Sequence, residues 1–134
     1  MSGLTIAPEL VPLHAALVNK DVDALRACLA DDVVFRPPTY WKDWAGQEIT
    51  LAILGHVMEI FEDFRYKRIW NDHPNYALEF KTRIGDLDAE GVDLITLNED
   101  GKVSEFTVVM RPIKTVEALR RHMTERFQNA AKAG

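Results

Sequence analysis

The spacing of apolar residues changes along the chain. Up to Phe61, apart from the short apolar run over residues 33–35, apolar residues recur every three or four positions, which is the spacing of one face of an α-helix. From Phe64 to Met110 they alternate with polar residues, which is typical of strands. A helical spacing then returns, and Asp21 and Thr115 are suitable N-caps for the second and last helices.

These patterns predict a definite order of elements. Helices are predicted over residues 6–18, 22–29, 47–62 and 115–131. Strands are predicted over residues 33–35, 64–71, 76–84, 91–97 and 102–110. Residues 30–32, 72–75, 85–91 and 98–101 read as turns or turn-rich connections. The order predicts an α+β fold with helices packed on one face of a curved antiparallel sheet.

One acidic residue interrupts the apolar strand over 91–97. Asp93 shares a face with Ile95 and Leu97, and the other face is also largely apolar, so both faces are expected to be covered. A buried carboxylate is costly unless it is paired or protonated. Two interpretations stay open. Asp93 is an acid whose pKa is raised by an apolar pocket, or an aspartate hydrogen-bonded to His14 or to a backbone amide.

His14 lies inside the apolar stripe of the first helix, one turn after Leu10. It is either a satisfied core histidine or the partner of Asp93 across a pocket. The four histidines and the single cysteine, Cys28, do not have metal-ligand spacing, so no metal site is expected. No P-loop, dinucleotide glycine pattern or Ser-His-Asp arrangement is present, so no cofactor is expected.

Large aromatic residues cluster in the loop that precedes Gly46. Tyr40, Trp41 and Trp44 either form the rim of a pocket or fill the core at its edge. Gly55, inside the third helix, suggests that another group approaches the backbone closely. The predicted wall of the pocket consists of Ile53, Val57, Phe80, Phe106, Val108 and Met110.

Composition narrows the classes of protein. The 134 residues, 47% hydrophobic and 28% charged, indicate one globular domain over residues 1–134. The net charge is −5 and the basic residues form no block, so neither nucleic acid nor a membrane surface is an expected partner. No apolar run has transmembrane length and no secretory signal pattern is present, so a cytoplasmic location is expected.

Several strings along the chain resemble a known superfamily. They are residues 17–25, residues 29–35, the helix start at Gly46, residues 91–94, residues 100–103 and residues 111–112. In this order and spacing they resemble the nuclear transport factor 2-like superfamily, of the SnoaL-like and ketosteroid isomerase-like kind. The resemblance implies a cone-shaped half-barrel whose sheet curls around the long helix and leaves an apolar pocket open at one end. It also implies homodimers that form through the outer face of the sheet.

The resemblance also implies roles for single residues. Asp93 matches the protonated aspartic acid of ketosteroid isomerase, and His14 matches its oxyanion-binding tyrosine. The catalytic base of that enzyme matches Pro37, and the neighbouring Arg36 cannot act as a base at neutral pH. Its mechanism is therefore not carried over. Limonene epoxide hydrolase needs an acid at about Val108, so that activity is not implied either.

SnoaL-like cyclases rely on a pocket aspartate, and Asp93 fits that role. The expected function is acid/base proton transfer (isomerisation, cyclisation or dehydration) on a small apolar carbonyl compound. Asp93 would be the acid/base or oxyanion donor and His14 its partner. The alternatives are a non-catalytic binding protein for an apolar metabolite, or a structural homodimer with a filled pocket.

Overall fold

A computed structural model describes residues 5–133 of the chain, with side chains to residue 130. A short 3₁₀ turn at Pro8–Leu10 precedes the helices, which are α1 Val11–Val18, α2 Val22–Cys28, α3 Gln47–Ile60 and α4 Ile113–Ala133. The strands are β1 Leu29–Arg36, β2 Trp44–Ala45, β3 Glu62–Asp72, β4 Asn75–Ile84, β5 Leu87–Leu97 and β6 Val103–Arg111. The predicted α+β class is confirmed.

Within the described residues, six strands form one curved, unclosed sheet in the order β2-β1-β6-β5-β4-β3. Hairpins join β3 to β6 in sequence, so those neighbours are antiparallel. The expectation of a wholly antiparallel sheet is wrong at one place, because β1 lies parallel to β6. These two strands are far apart in the chain, so no hairpin imposes an antiparallel pairing on them.

The two predicted N-cap residues, Asp21 and Thr115, form different hydrogen bonds. The Oδ1 atom of Asp21 accepts from the backbone nitrogen of Ala24 at 3.1 Å, which confirms the predicted N-cap of α2. The last helix begins at Ile113, two residues before the predicted cap. Thr115 instead donates its hydroxyl to the backbone oxygen of Asp88 at 2.8 Å, and it is buried. That side chain therefore ties α4 to β5.

The strand that carries Asp93 is longer than predicted. It begins at Leu87, so the predicted connection over 85–91 is wrong, and the turn is only Gly85-Asp86 between paired Ile84 and Leu87. Gly85 has a φ of 58°, which suits glycine in such a turn. Inward residues of β5 are buried as predicted, whereas Leu94 on the outer face is 43% exposed. The outer face is therefore not covered within one chain.

Gly91 permits close packing inside the sheet. It lies opposite Phe80 of β4. A Cβ atom at this position would come within 2.3 Å of the backbone oxygen of Val109 and 2.6 Å of Cζ of Phe80. At Gly55, by contrast, a Cβ atom would meet nothing within 4 Å, so the close approach predicted there is wrong.

Replacing Gly91→Ala should lower the free energy of unfolding by about 2 kcal/mol or more, because a backbone oxygen cannot move away cheaply. The matched change Gly55→Ala should raise it by up to ~1 kcal/mol, because alanine is the better helix former. Urea unfolding followed by circular dichroism measures both. Equal effects of the two changes would contradict the proposed role of Gly91.

Candidate functional site

A cavity of about 630 Å³ lies between the sheet, α3, α4 and the loop after β1. That volume is within the range of small-molecule sites. Its lining is mostly apolar and includes α4 residues such as Leu119, Met123 and Phe127. The residues of the predicted site that line it are Tyr40, Trp44, Ile53, Val57, Asp93, Phe106 and Val108.

Four residues of the predicted site do not line the cavity. Trp41 is 99% exposed in the loop, outside the cavity. Phe80 packs against Phe61 and Phe64, whose own rings form the lining, so Phe80 lies in the layer behind them. Met110 and His14 are also absent from the lining. The structure therefore gives no support for direct contact of Trp41, Phe80, Met110 or His14 with a ligand in the cavity.

Asp93 is 5% exposed and faces the cavity from β5. Its Oδ2 atom accepts a hydrogen bond from the buried hydroxyl of Tyr66 on β3 at 2.7 Å. The two strands are separated by β4, so the tyrosine side chain reaches across one strand to make this contact. Tyr66 itself also lines the cavity.

Burial raises the pKa of Asp93 from its ordinary 3.8 to about 7, although the hydrogen bond from Tyr66 acts in the opposite direction. The pKa of Tyr66 lies well above 10, mainly through burial and then through the neighbouring carboxylate. Asp93 therefore changes its protonation state near neutral pH, while Tyr66 remains a neutral donor.

The second oxygen of Asp93 is open to the cavity. Oδ1 has no hydrogen-bond partner among the described residues. In that same part of the chain, every side-chain oxygen or nitrogen that solvent cannot reach has a hydrogen-bond partner. Because Oδ1 has none, it must be reachable from the cavity. One oxygen of the carboxyl group is thus held by Tyr66, and the other is available to a ligand.

His14 contacts Tyr66 rather than Asp93. The two rings lie 5.3 Å apart with an interplanar angle of 37°. Burial lowers the pKa of His14, which keeps the imidazole neutral at pH 7. The expected pairing of His14 with Asp93 is wrong, because Tyr66 occupies the place of the partner. The clue in the sequence was the inward pair Phe64 and Tyr66, but only the strand order shows that it meets Asp93.

Helix α4 packs beside the cavity and contacts α3. Arg126 forms an ion pair with Glu59, with 2.5 Å between Nη1 and Oε1. The ring of Phe127 packs edge-on against His56 at 5.1 Å. These contacts hold the apolar face of α4 against the site.

Neither a metal cluster nor a membrane-spanning helix is found in the described part of the chain. There, no three His, Cys, Asp or Glu residues are grouped so that they could hold a metal ion. No helix over residues 5–133 is both long and apolar enough to cross a membrane.

A family model described as the SnoaL-like domain matches residues 13–106. The chain belongs to the SnoaL-like family. That match ends in β6 and does not extend to α4, which supplies part of the cavity wall. A search of curated proteins finds no match to this SnoaL-like chain.

Two bacterial structures are similar over most of this SnoaL-like chain. An uncharacterized protein from Silicibacter pomeroyi DSS-3 with a cystatin-like fold is 47% identical, with a TM-score of 0.89, over 93% of this chain and 89% of that one. A steroid delta-isomerase from Pseudomonas aeruginosa is 31% identical, with a TM-score of 0.89, over 97% and 99%.

A third structure shares the fold alone. A putative SnoaL-like polyketide cyclase from Shewanella denitrificans OS-217 is 17% identical, with a TM-score of 0.64, over 84% of this chain and 94% of that one. The NTF2-like, cystatin-like fold is therefore shown for this SnoaL-like protein.

The raised pKa of Asp93 predicts a pH dependence of stability. Between about pH 4 and pH 7 the folded chain keeps a proton that the unfolded chain has lost. The contribution of this group to the free energy of unfolding therefore falls by about 1.4 kcal/mol for each unit that the pH rises. Above about pH 7 the contribution levels off. We expect Asp93→Asn to lack this slope. Urea unfolding from pH 4 to 9 measures the difference between the wild type and the variant.

The matched control for that series is Asp86→Asn, which makes the same chemical change in the exposed turn between β4 and β5. It should follow the wild-type profile. Parallel profiles for the wild type and Asp93→Asn would show that the pKa of Asp93 is not raised.

Proposed function

We propose that this SnoaL-like protein is an enzyme that transfers a proton on a carbon next to the carbonyl group of a small apolar compound. The observation that carries the proposal is the state of Asp93. Its carboxyl group has a pKa of about 7, is held by Tyr66 through one oxygen and opens to an apolar cavity through the other. A general acid or base works best when its pKa lies near the working pH.

The chemistry needs only this carboxyl group and the substrate. Ionised Asp93 takes a proton from the carbon through Oδ1, and the electron pair of the broken C–H bond moves into the enolate. Tyr66 keeps its hydrogen bond to Oδ2 and holds the carboxyl group in one orientation. When the substrate has a C=C bond at the β,γ position, this enolate is a dienolate, and Asp93 returns the proton to its γ-carbon, so that the C=C bond moves into conjugation with the carbonyl group. The overall reaction is an isomerisation, with no oxidant or reductant.

The comparisons support a proton-transfer activity of the isomerase or cyclase type. One neighbour is named a steroid delta-isomerase and another a putative SnoaL-like polyketide cyclase. Among the described residues, Asp93 is the only carboxyl group in the cavity lining, and Pro37 stands at the position that matches the catalytic base of ketosteroid isomerase. A single acid/base group that both takes and returns the proton is consistent with this lining.

A second function uses the same atoms without turnover. Neutral Asp93 would donate a hydrogen bond from Oδ1 to the carbonyl oxygen of a bound apolar metabolite. The presence of only one carboxyl group in the described lining favours this binding role over a mechanism with two catalytic acids. The third interpretation, a homodimer with a filled pocket, does not fit a cavity of about 630 Å³.

The proposal predicts exchange of carbon-bound protons. In D₂O at pH 7.5, the wild type should catalyse loss of the α-proton NMR signal of at least one member of a panel of aryl and cyclic ketones. Asp93→Asn should slow that exchange by about 10²-fold or more, because positioned acid/base groups contribute that much. Binding of a ketone without exchange would support the binding protein instead.

Two variants make this experiment specific. Asp86→Asn, in the exposed turn, should retain the wild-type rate. Tyr66→Phe removes the hydrogen bond that lowers the pKa of Asp93, so the inflection of the rate profile should move to higher pH. Wild-type exchange by Asp93→Asn would overturn the acid/base role.

We also propose that two copies associate through the outer face of the sheet. Trp70, Leu94 and Val109 lie on that face and are 50%, 43% and 55% exposed. Registered pairs place Trp70 opposite Ala77, Ala77 opposite Leu94, and Val109 opposite Val92, so the exposed apolar residues are close together. Such a patch is typical of protein interfaces.

A charge in this patch should prevent association. Leu94→Arg should elute as a monomer in size-exclusion chromatography with light scattering at a concentration where the wild type is a dimer, because an unpaired charge at an interface is costly. The control is Val18→Arg on α1, which is similarly exposed and should leave the dimer intact. A monomeric wild type would contradict the proposal.

A further inference from the structure

Lys20 is the only cationic residue among the described residues that line the cavity. It follows α1 with a φ of 56°, a left-handed conformation that is uncommon for a residue other than glycine. From this position, Nζ donates to the backbone oxygen of Phe61 at 3.1 Å. Lys20 is exposed, and this contact places its ammonium group where the cavity meets solvent.

The contact with Phe61 uses one of the three donors of the ammonium group. Phe61 is the C-cap of α3, where the helix dipole favours a positive charge. Among the described residues, no carboxylate lies within 4 Å of Nζ. The remaining donors are consequently available to a negatively charged group in the cavity.

A continuous aromatic wall connects Lys20 with the acid. The rings of Phe61 and Phe64 are stacked at 6.0 Å, and those of Phe64 and Tyr66 meet edge-on at 4.9 Å. Tyr66 then bonds to Asp93. The wall thus offers an apolar surface with a cation at one end and a proton-transfer group at the other.

We propose that the substrate carries a carboxylate at the end remote from its carbonyl group, and that Lys20 binds this carboxylate. The inference rests on the proposed function, because it places the carbonyl group at Asp93. The reverse orientation would bring two acids together at Asp93, whose carboxyl group is already buried among apolar side chains. The charges of the cavity therefore select the direction in which an apolar oxo acid enters.

The test compares two ligands that differ only in charge. The probes are 5-benzoylpentanoate, an aryl ketone with a terminal carboxylate, and its neutral methyl ester. Isothermal titration calorimetry at pH 7.5 should show that the wild type binds the acid at least about tenfold more tightly than the ester, as a charged hydrogen bond in a partly buried site allows. This preference should decrease as salt is added.

Three variants separate charge from fold. Lys20→Gln should weaken binding of the acid about tenfold and leave binding of the ester unchanged, whereas Lys20→Arg should retain the preference. Lys67→Gln removes the same charge from an exposed position on β3 and should behave as the wild type. Thermal unfolding of each variant checks that the fold is intact.

The outcomes distinguish this inference from the proposed function. Equal affinity for acid and ester, or no effect of Lys20→Gln on the acid, would overturn the role of Lys20. The proposed function would stand in that case if the ketone panel still exchanges its protons. Failure of both probes to bind would also overturn the inference, and the exchange experiment would then decide the function of Asp93 by itself.

Discussion

The hydrogen bond between Tyr66 and Asp93 is the interaction on which the site depends. It joins two strands that are not neighbours, so it requires the curvature of the sheet and the order β5-β4-β3. On β4, the middle of these three strands, Phe80 packs against Gly91 of β5. A Cβ atom at position 91 would clash with Phe80. Because Tyr66 holds one carboxyl oxygen, the other is presented to the cavity in a fixed direction.

The packing that stabilises this fold also sets its chemistry. Apolar residues of α3, α4 and the sheet surround Asp93, and this burial raises its pKa to about 7. Burial of an ionised acid reduces stability at neutral pH, so the surrounding apolar core has to offset this cost. A more polar cavity would restore an ordinary pKa, and Asp93 would then no longer exchange protons near neutrality.

The sequence predicts the elements and the unusual acid better than it predicts what the acid contacts. Apolar periodicity is local, so it indicates the helices, four long strands and the inward face that Asp93 shares with Ile95. The partner of Asp93 depends on strand order and curvature, which are not local, so the sequence alone indicates His14 and not Tyr66. The parallel pairing of β1 with β6 and the exposure of Trp41 depend on the same long-range arrangement.

A cavity with one acid has different chemical limits from a cavity with two. In a mechanism with two acids, one carboxylate can act as a base while the other carboxyl group protonates a leaving group. Asp93 is the only carboxyl group of the described lining, and the proposed shift of one proton within a single substrate needs no second carboxyl group. Such a shift needs the substrate to stay in one orientation between removal and return of the proton. In the proposed orientation, Lys20 and Asp93 bind the two ends of the substrate, and the aromatic wall between them contacts its apolar part.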